Sequence, residues 1–491
     1  MGMQPNLSLG RHYLRYSGAT VLIMAAGFIS FPALTRMLDN TQYGILGYYD
    51  TWLMLAIAVV KLGGQHAILR LYPFGGDEGR LRHFATNLVF VPMAVSLGLW
   101  SVLALVAMGV IGFGGVQVSP VFWGALMLMP LLVFISHVEM TLRVSERSGL
   151  LNVSRVSWRW IELVLILSFV YWVQRSATAV YAGKIAAALL LAGGYAWWVF
   201  RNLSFSRKSL DLSAYRASLA YSLPLVVNEM VGMLLVSIDR IMLKHMLGDY
   251  AAVGVYTIGC ALAMQVSVIM SDPLWGAFNP VANRVHGTSG AQEVRALKLR
   301  VLQPVTYVSI GVGAAIWAVG ADVLEVLTGP SKSASGPVFM WLGALFALLP
   351  MLDVSGYGLL LKKRTMTVML LTLAAAAANI GLNLLWIPVH GVMGSVYATV
   401  ASYLMLALSR CAFCPRDLLQ FPAGRELLLA LGAAAMFIAS MGLVGPLDGA
   451  APLLRVVVGG VLWLLLYLVP VFALDRKLRE TVFRLKTTGV A

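Results

Sequence analysis

Solid apolar runs of about 20 residues recur along the chain, each long enough to cross a ~30 Å hydrocarbon core as a helix. Short polar connections separate them. They fall at 16–38, 46–69, 84–111, 120–142, 156–174, 178–200, 217–243, 250–273, 301–324, 336–361, 366–387, 391–410, 425–444 and 453–474, fourteen in all. A membrane barrel would instead show alternating segments of ~10 residues. The pattern predicts an all-α polytopic membrane protein.

Composition agrees. Of 491 residues, 59% are hydrophobic and only 12% charged, against roughly 25% charged in a soluble domain. The mean hydropathy is +0.82. A soluble enzyme of this length would need far more charge to cover its surface. The net charge of +15 would fit a nucleic-acid or membrane partner, and its distribution decides. Taking the N-terminus and every second connection as one side collects 29 Lys and Arg there and 6 on the other, with Lys184 inside a span. This is the positive-inside signature, so both termini are expected to be cytoplasmic and no nucleic acid is expected. The first apolar run lacks a small-residue cleavage pattern and reads as a retained span. External connections are short, and no extramembrane domain is expected.

Catalytic motifs are missing from the sequence. It has no phosphate-binding glycine loop, no His-Glu-x-x-His and no Gly-x-Ser-x-Gly. Cys411 and Cys414 form one C-x-x-C without the second ligand pair a zinc site needs. Cys260 lies in an apolar run and reads as packing. Neither an enzyme, a metal site nor a resident cofactor is predicted.

Two segments about 209 residues apart resemble each other: Met37-Leu38-Asp39 with Tyr43-Gly44-Ile45, and Met246-Leu247-Gly248 with Val253-Gly254-Val255. Each follows an outgoing span and precedes the returning one. Such a repeat fits two six-helix lobes of like orientation, 1–208 and 209–416, followed by two further helices and a basic tail, 417–491.

The opening hairpin, Phe31-Pro32-Ala33-Leu34-Thr35-Arg36-Met37-Leu38 through Tyr43-Gly44, resembles the start of the Wzx-type polysaccharide-repeat flippases. These belong to the multidrug/oligosaccharidyl-lipid/polysaccharide exporter superfamily. Ser222-Leu223-Pro224-Leu225, Ser237-Ile238-Asp239-Arg240, Gly248 and Val253-Gly254-Val255-Tyr256 are similar to that family's middle signature. The resemblance implies twelve to fourteen helices and alternating-access transport of a lipid-diphosphate-linked oligosaccharide across the bacterial inner membrane. It also implies partners in membrane lipids and in polysaccharide polymerase and chain-length machinery. A peptidoglycan-precursor flippase and a cation-coupled drug antiporter of the same superfamily are the alternatives.

An ionisable group within a span is costly and marks function by default. Glu229 lies about 18 Å into the seventh span, near the midplane. Arg240 follows eleven residues later, on the same helical face. Glu229 would bind a coupling cation, H⁺ or Na⁺, and Arg240 would meet phosphate near the exit. Lys61 in the second span and Lys184, roughly 9 Å below the outer end of the sixth, offer point charges for a diphosphate. Snorkelling to the headgroups is the plainer role for both lysines. Asp239 is a secondary candidate whose plain role is pairing with Arg240 or Lys244. Glu162, Asp272 and Asp353 lie nearer inner ends, where pairing with basic loops is expected. Asn379 and Asn383, at i and i+4, predict helix–helix hydrogen bonding.

Overall fold

The computed structural model describes residues 6–114, 118–443 and 451–480, with side chains described from residue 20 onward. Of the inner-side charges, Arg484 and Lys486 lie outside the described residues, as do the side chains of Arg11 and Arg15. Every regular element among the described residues is helical. Twelve of these helices are long and apolar enough to cross a membrane, and the chain is a multi-pass membrane protein. Helix Glu78–Gly114 illustrates why. Leu97, Val102 and Leu105 on its outer face are 53%, 56% and 64% exposed. Apolar surface on this scale is stable only against lipid.

The predicted fourteen segments map onto these helices unevenly. Segment 156–174 lies in helix Ser148–Trp172, which is not among the twelve because Arg155, Arg159 and Glu162 interrupt its apolar sequence. Segments 250–273 and 301–324 share the 79-residue helix Tyr250–Thr328, whose backbone leaves the helical region only at Gly290, with φ 81°. The expected continuous span 46–69 is corrected. Helix Asn40–Lys61 stops there, and a separate short helix, Gly64–Leu71, begins beyond it. Leu62 (φ 46°) and Gly63 (φ 69°) both take left-handed backbone, which the apolar character of the run does not register.

The chain divides into two compact units, Met1–Ser237 and Ile238–Ala491. Each contains one of the repeated hairpins, and both hairpins use the same device. Asp39 accepts from Gln42 N–H to cap helix Asn40–Lys61, and Asp249 accepts from Ala251 N–H to cap helix Tyr250–Thr328. A capping carboxylate satisfies orphan N–H groups at the positive end of the helix dipole.

In the C-terminal unit, helices Gly424–Leu443 and Pro452–Trp463 with its continuation to Leu474 pack on the later half of Tyr250–Thr328. Tyr467 donates to the Tyr307 carbonyl at 2.6 Å, and Trp463 Nε1 donates to the Gly311 carbonyl at 2.8 Å. Gly311 leaves room for the Tyr467 ring, which a Cβ would strike. Asp475, just past the membrane segment, accepts from Tyr307 (2.6 Å), Gln303 (2.9 Å) and Leu478 N–H (3.0 Å). Burial pushes its carboxyl up, but these hydrogen bonds together outweigh that and hold it below the usual carboxylate range.

Candidate functional site

Five helices of the N-terminal unit line a cavity of about 530 Å³, helix Asn6–Met37 contributing Ile23. Helix Ser148–Trp172 supplies Arg155, Trp158, Arg159 and Glu162, at i, i+3, i+4 and i+7, so that one face of this helix is polar and charged. Asp50 comes from helix Asn40–Lys61, Glu139 from helix Pro120–Val144 and Lys184 from helix Ala177–Asn202. Aliphatic side chains, among them Leu53, Met54, Ile57 and Leu132, complete the wall. Gly183 permits the close approach that brings Lys184 in, because a Cβ there would lie 2.6 Å from the Ile166 Cα.

The charges are balanced in pairs. Lys184 Nζ donates to both Asp50 oxygens at 2.7 and 2.9 Å, and Tyr181 donates to Asp50 at 2.7 Å. Arg155 places Nε and Nη2 on one Glu139 oxygen at 2.9 and 2.6 Å. Arg159 donates to Glu162 at 2.8 Å. Two polar atoms are left over: among the described residues, Glu139 Oε1 and Trp158 Nε1 have no hydrogen-bond partner. A buried acceptor and a buried donor in residues of the cavity wall cost free energy unless something polar meets them. Hydroxyl groups, which both donate and accept, suit that pair.

The second cluster of the same unit surrounds Glu229. Its carboxylate lies 3.9 Å from Lys61 Nζ and 3.5 Å from His66 Nε2, and it accepts from Gln65 Nε2 at 3.0 Å. The backbone break at Leu62–Gly63 sets this geometry. It ends one helix on Lys61, whose charge meets the negative helix terminus, and starts the next with Gln65 and His66 aimed at Glu229. Neither glycine of the break tolerates a side chain. A Cβ on Gly63 would lie 2.7 Å from Val226 Cγ2, and one on Gly64 would strike His137 Nε2.

Of the predicted site residues, then, Lys61 and Glu229 form an ion pair, and Lys184 lines the cavity with a partner, Asp50, that is not among the predicted ones. Arg155 and Arg159, counted there as topogenic charges, line the cavity, as does Glu162. The available signal was the i, i+4, i+7 stripe of charge inside an otherwise apolar run.

The remaining candidates sit in the C-terminal unit. Asp239 is fully buried, and the expected headgroup pairing with Lys244 is corrected. Asp239 accepts from Tyr256 (2.5 Å), Thr399 (2.9 Å) and Asn383 (2.7 Å), while Lys244 donates to the Gly248 carbonyl. Neutral donors satisfy a carboxylate at this depth at lower desolvation cost than an ammonium would. Asn379 and Asn383 do hydrogen-bond between helices, as expected: Asn379 to Thr399 at 3.5 Å and Asn383 to Asp239. Arg240 lies 5.8 Å from the centre of the Tyr256 ring. Asp353 pairs with Arg410 at 3.3 Å, as expected of an inner-end acid. Asp272 is exposed, and no ion pair to it is found among the described residues, contrary to expectation. Among the described residues no group of three or more His, Cys, Asp or Glu is placed to hold a metal ion.

Comparison with known proteins places this architecture. The sequence profile of a family described as "Polysaccharide biosynthesis protein" matches residues 9–286, more than half of the chain. A Haemophilus influenzae protein of the Lsg locus (protein 1) is 26% identical over 254 residues, 49% of this chain and 58% of the relative. The match thus spans less than two thirds of that relative's length. Among solved structures, the chain resembles the lipid II flippase MurJ in an inward closed conformation, with a TM-score of 0.71 at 11% identity, covering 93% of this chain and 99% of the other. It also resembles an inward-facing multidrug resistance MATE family transporter of the MOP superfamily, with a TM-score of 0.60 at 14% identity, covering 88% and 99%. At these identities the likeness establishes the fold. The proteins sharing it are transporters rather than enzymes.

Proposed function

The chain belongs to the polysaccharide biosynthesis protein family, and from that membership we propose that it is a flippase for a lipid-diphosphate-linked oligosaccharide repeat unit. The proposed passage is from the cytoplasmic to the periplasmic face of a bacterial inner membrane, supplying surface polysaccharide synthesis. Polysaccharide polymerase and chain-length machinery are its proposed downstream partners.

The observation that carries this reading is the charge-balanced cavity of the N-terminal unit, with a donor and an acceptor to spare. Sugar hydroxyls and phosphates cannot enter hydrocarbon unaided. In the cavity, hydroxyls would take up Trp158 Nε1 and Glu139 Oε1. Lys184, Arg155 and Arg159 would exchange their carboxylate partners for phosphate oxygens as the head enters. The polyprenyl tail stays in lipid throughout. Alternating exposure of the site to the two faces then releases the head outside. In this scheme a coupling cation, H⁺ or Na⁺, would compete with Lys61 for Glu229, linking a gradient to the state of the helix break.

The test is export in cells that depend on this chain for a surface glycan. Lys184→Ala and Lys61→Ala should each lower surface glycan and raise the cytoplasm-facing lipid-linked intermediate, measured per amount of the variant present in the membrane. Normal export by both variants would remove the reading.

A further inference from the structure

A second cavity of the N-terminal unit, about 460 Å³, lies where helices Pro120–Val144 and Ala177–Asn202 end and helix Glu78–Gly114 begins. The charge count places these ends on the cytoplasmic side. Arg82, Arg147 and Arg201 line it, and the one acid in its lining, Glu78, is turned out to solvent, 93% exposed and 3.7 Å from Arg82. Trp198 is buried in the wall, yet its Nε1 has no hydrogen-bond partner among the described residues.

Arginine at a helix C-terminus has a plain explanation, since it complements the dipole and the last carbonyls. That accounts for Arg201 near the end of its helix. It does not account for a buried, unpaired indole N–H on a residue that shares the pocket lining with three arginines. The charged and indole side chains of this wall offer donors in excess and a net positive charge, so the missing group is an anionic acceptor. A tetrahedral phosphate meets arginine forks and a single N–H together.

The rim identifies the source of that phosphate. Phe200 at its edge is 82% exposed, and Trp197, whose ring lies 4.6 Å under the Arg201 guanidinium, is 60% exposed. Aromatic side chains so placed at the end of a membrane helix sit at headgroup level. We propose that this pocket binds the phosphate of an anionic glycerophospholipid in the inner leaflet, with Arg82, Arg147 and Arg201 supplying the charge and Trp198 the directed hydrogen bond. Such a lipid would brace the three helix ends on the side from which cargo enters.

The test uses the full chain in neutral detergent, with dioleoylphosphatidylglycerol or dioleoylphosphatidylcholine added and bound lipid counted by native mass spectrometry. Phosphatidylglycerol should bind at least tenfold better than phosphatidylcholine. The variant Arg82→Gln/Arg147→Gln/Arg201→Gln should lose about tenfold or more in that binding, given roughly 1 kcal/mol per basic residue near an anionic surface. Trp198→Phe, which keeps the ring and removes the N–H, should lose about threefold. Removing three exposed arginines of the C-terminal unit, Arg284→Gln/Arg295→Gln/Arg300→Gln, should change it little. Should the triple variant fail to run as a monodisperse species, Arg201→Gln alone and Trp198→Phe decide. Equal binding of the two lipids, unchanged binding in the pocket variants or an equal loss in the control variant would each overturn the proposal. So would displacement of the lipid by an equal concentration of inorganic phosphate, which would assign the pocket to a soluble anion.

Discussion

Lys184 and Asp50 show how a single pair ties stability to function. The pair is partly buried, with side chains 19% and 35% exposed, inside a chain surrounded by lipid. Removing one partner leaves a charge in a low-dielectric wall, which is costlier than removing both. Lys184→Met alone should therefore lower thermal stability in detergent. The double variant Asp50→Asn/Lys184→Met should recover most of that loss while export stays defective. Full recovery of export in the double variant would mean that the pair only holds helices together. At the same scale, Lys298 is counted in the sequence with the inner-side charges, but it is fully buried and its ammonium binds the carbonyls of Ser355 (3.0 Å) and Leu418 (2.7 Å). Residue identity alone does not separate a topogenic lysine from one that fastens two segments.

At the scale of elements, the break after Lys61 is the feature with the clearest local cause. Gly63 combines left-handed backbone with contact distances that leave no space for a methyl group. Gly63→Ala should destabilise the protein by at least about 1 kcal/mol, from backbone strain and overpacking together. It should also disturb the register of Gln65 and His66 on Glu229. Thermal unfolding of the purified variant measures the first effect, and export the second. The C-terminal helix pair offers a pH-dependent counterpart. The Asp475 carboxyl lies below its usual range when folded. It therefore contributes stability that is complete above its unfolded value of about 3.9 and is lost as pH falls through the depressed folded value. Wild type should lose stability faster than Asp475→Asn below about pH 4, with the two curves running parallel above about pH 5. Parallel curves throughout would mean that the three donors to Asp475 do not stabilise its charged form.

At the scale of the whole molecule, the charge count is itself a prediction about sidedness. Lys363 is exposed in an expected inner connection and Ser333 in an expected outer one. In a background without the native thiols, Ser333→Cys should react with an impermeant maleimide in intact cells. Lys363→Cys should react only after the membrane is opened, and the reverse pattern would invert the topology. The helical membrane class and most span positions are readable from the sequence, because apolar runs of this length have few other stable forms. Asp353 with Arg410 follows from depth alone, an inner-end acid near basic loops. The 530 Å³ cavity was only half legible. Arg155, Arg159 and Glu162 stand on one helical face in the sequence, but the partner acids Asp50 and Glu139 are 105 and 16 residues away from Arg155.

The sequence by itself thus determines the solvent, the helical class and the expected orientation, because hydropathy and charge act through local composition over windows of about 20 residues. Its motifs also carry the family resemblance. Only the tertiary structure decides which intramembrane charges are mates: Lys184 with Asp50, Lys61 with Glu229, and Asp239 with neutral donors rather than with lysine. Ionic and hydrogen-bonded partners act over a few ångströms, and helix packing brings together residues as far apart in sequence as Lys61 and Glu229, 168 positions. No local window of sequence contains that distance.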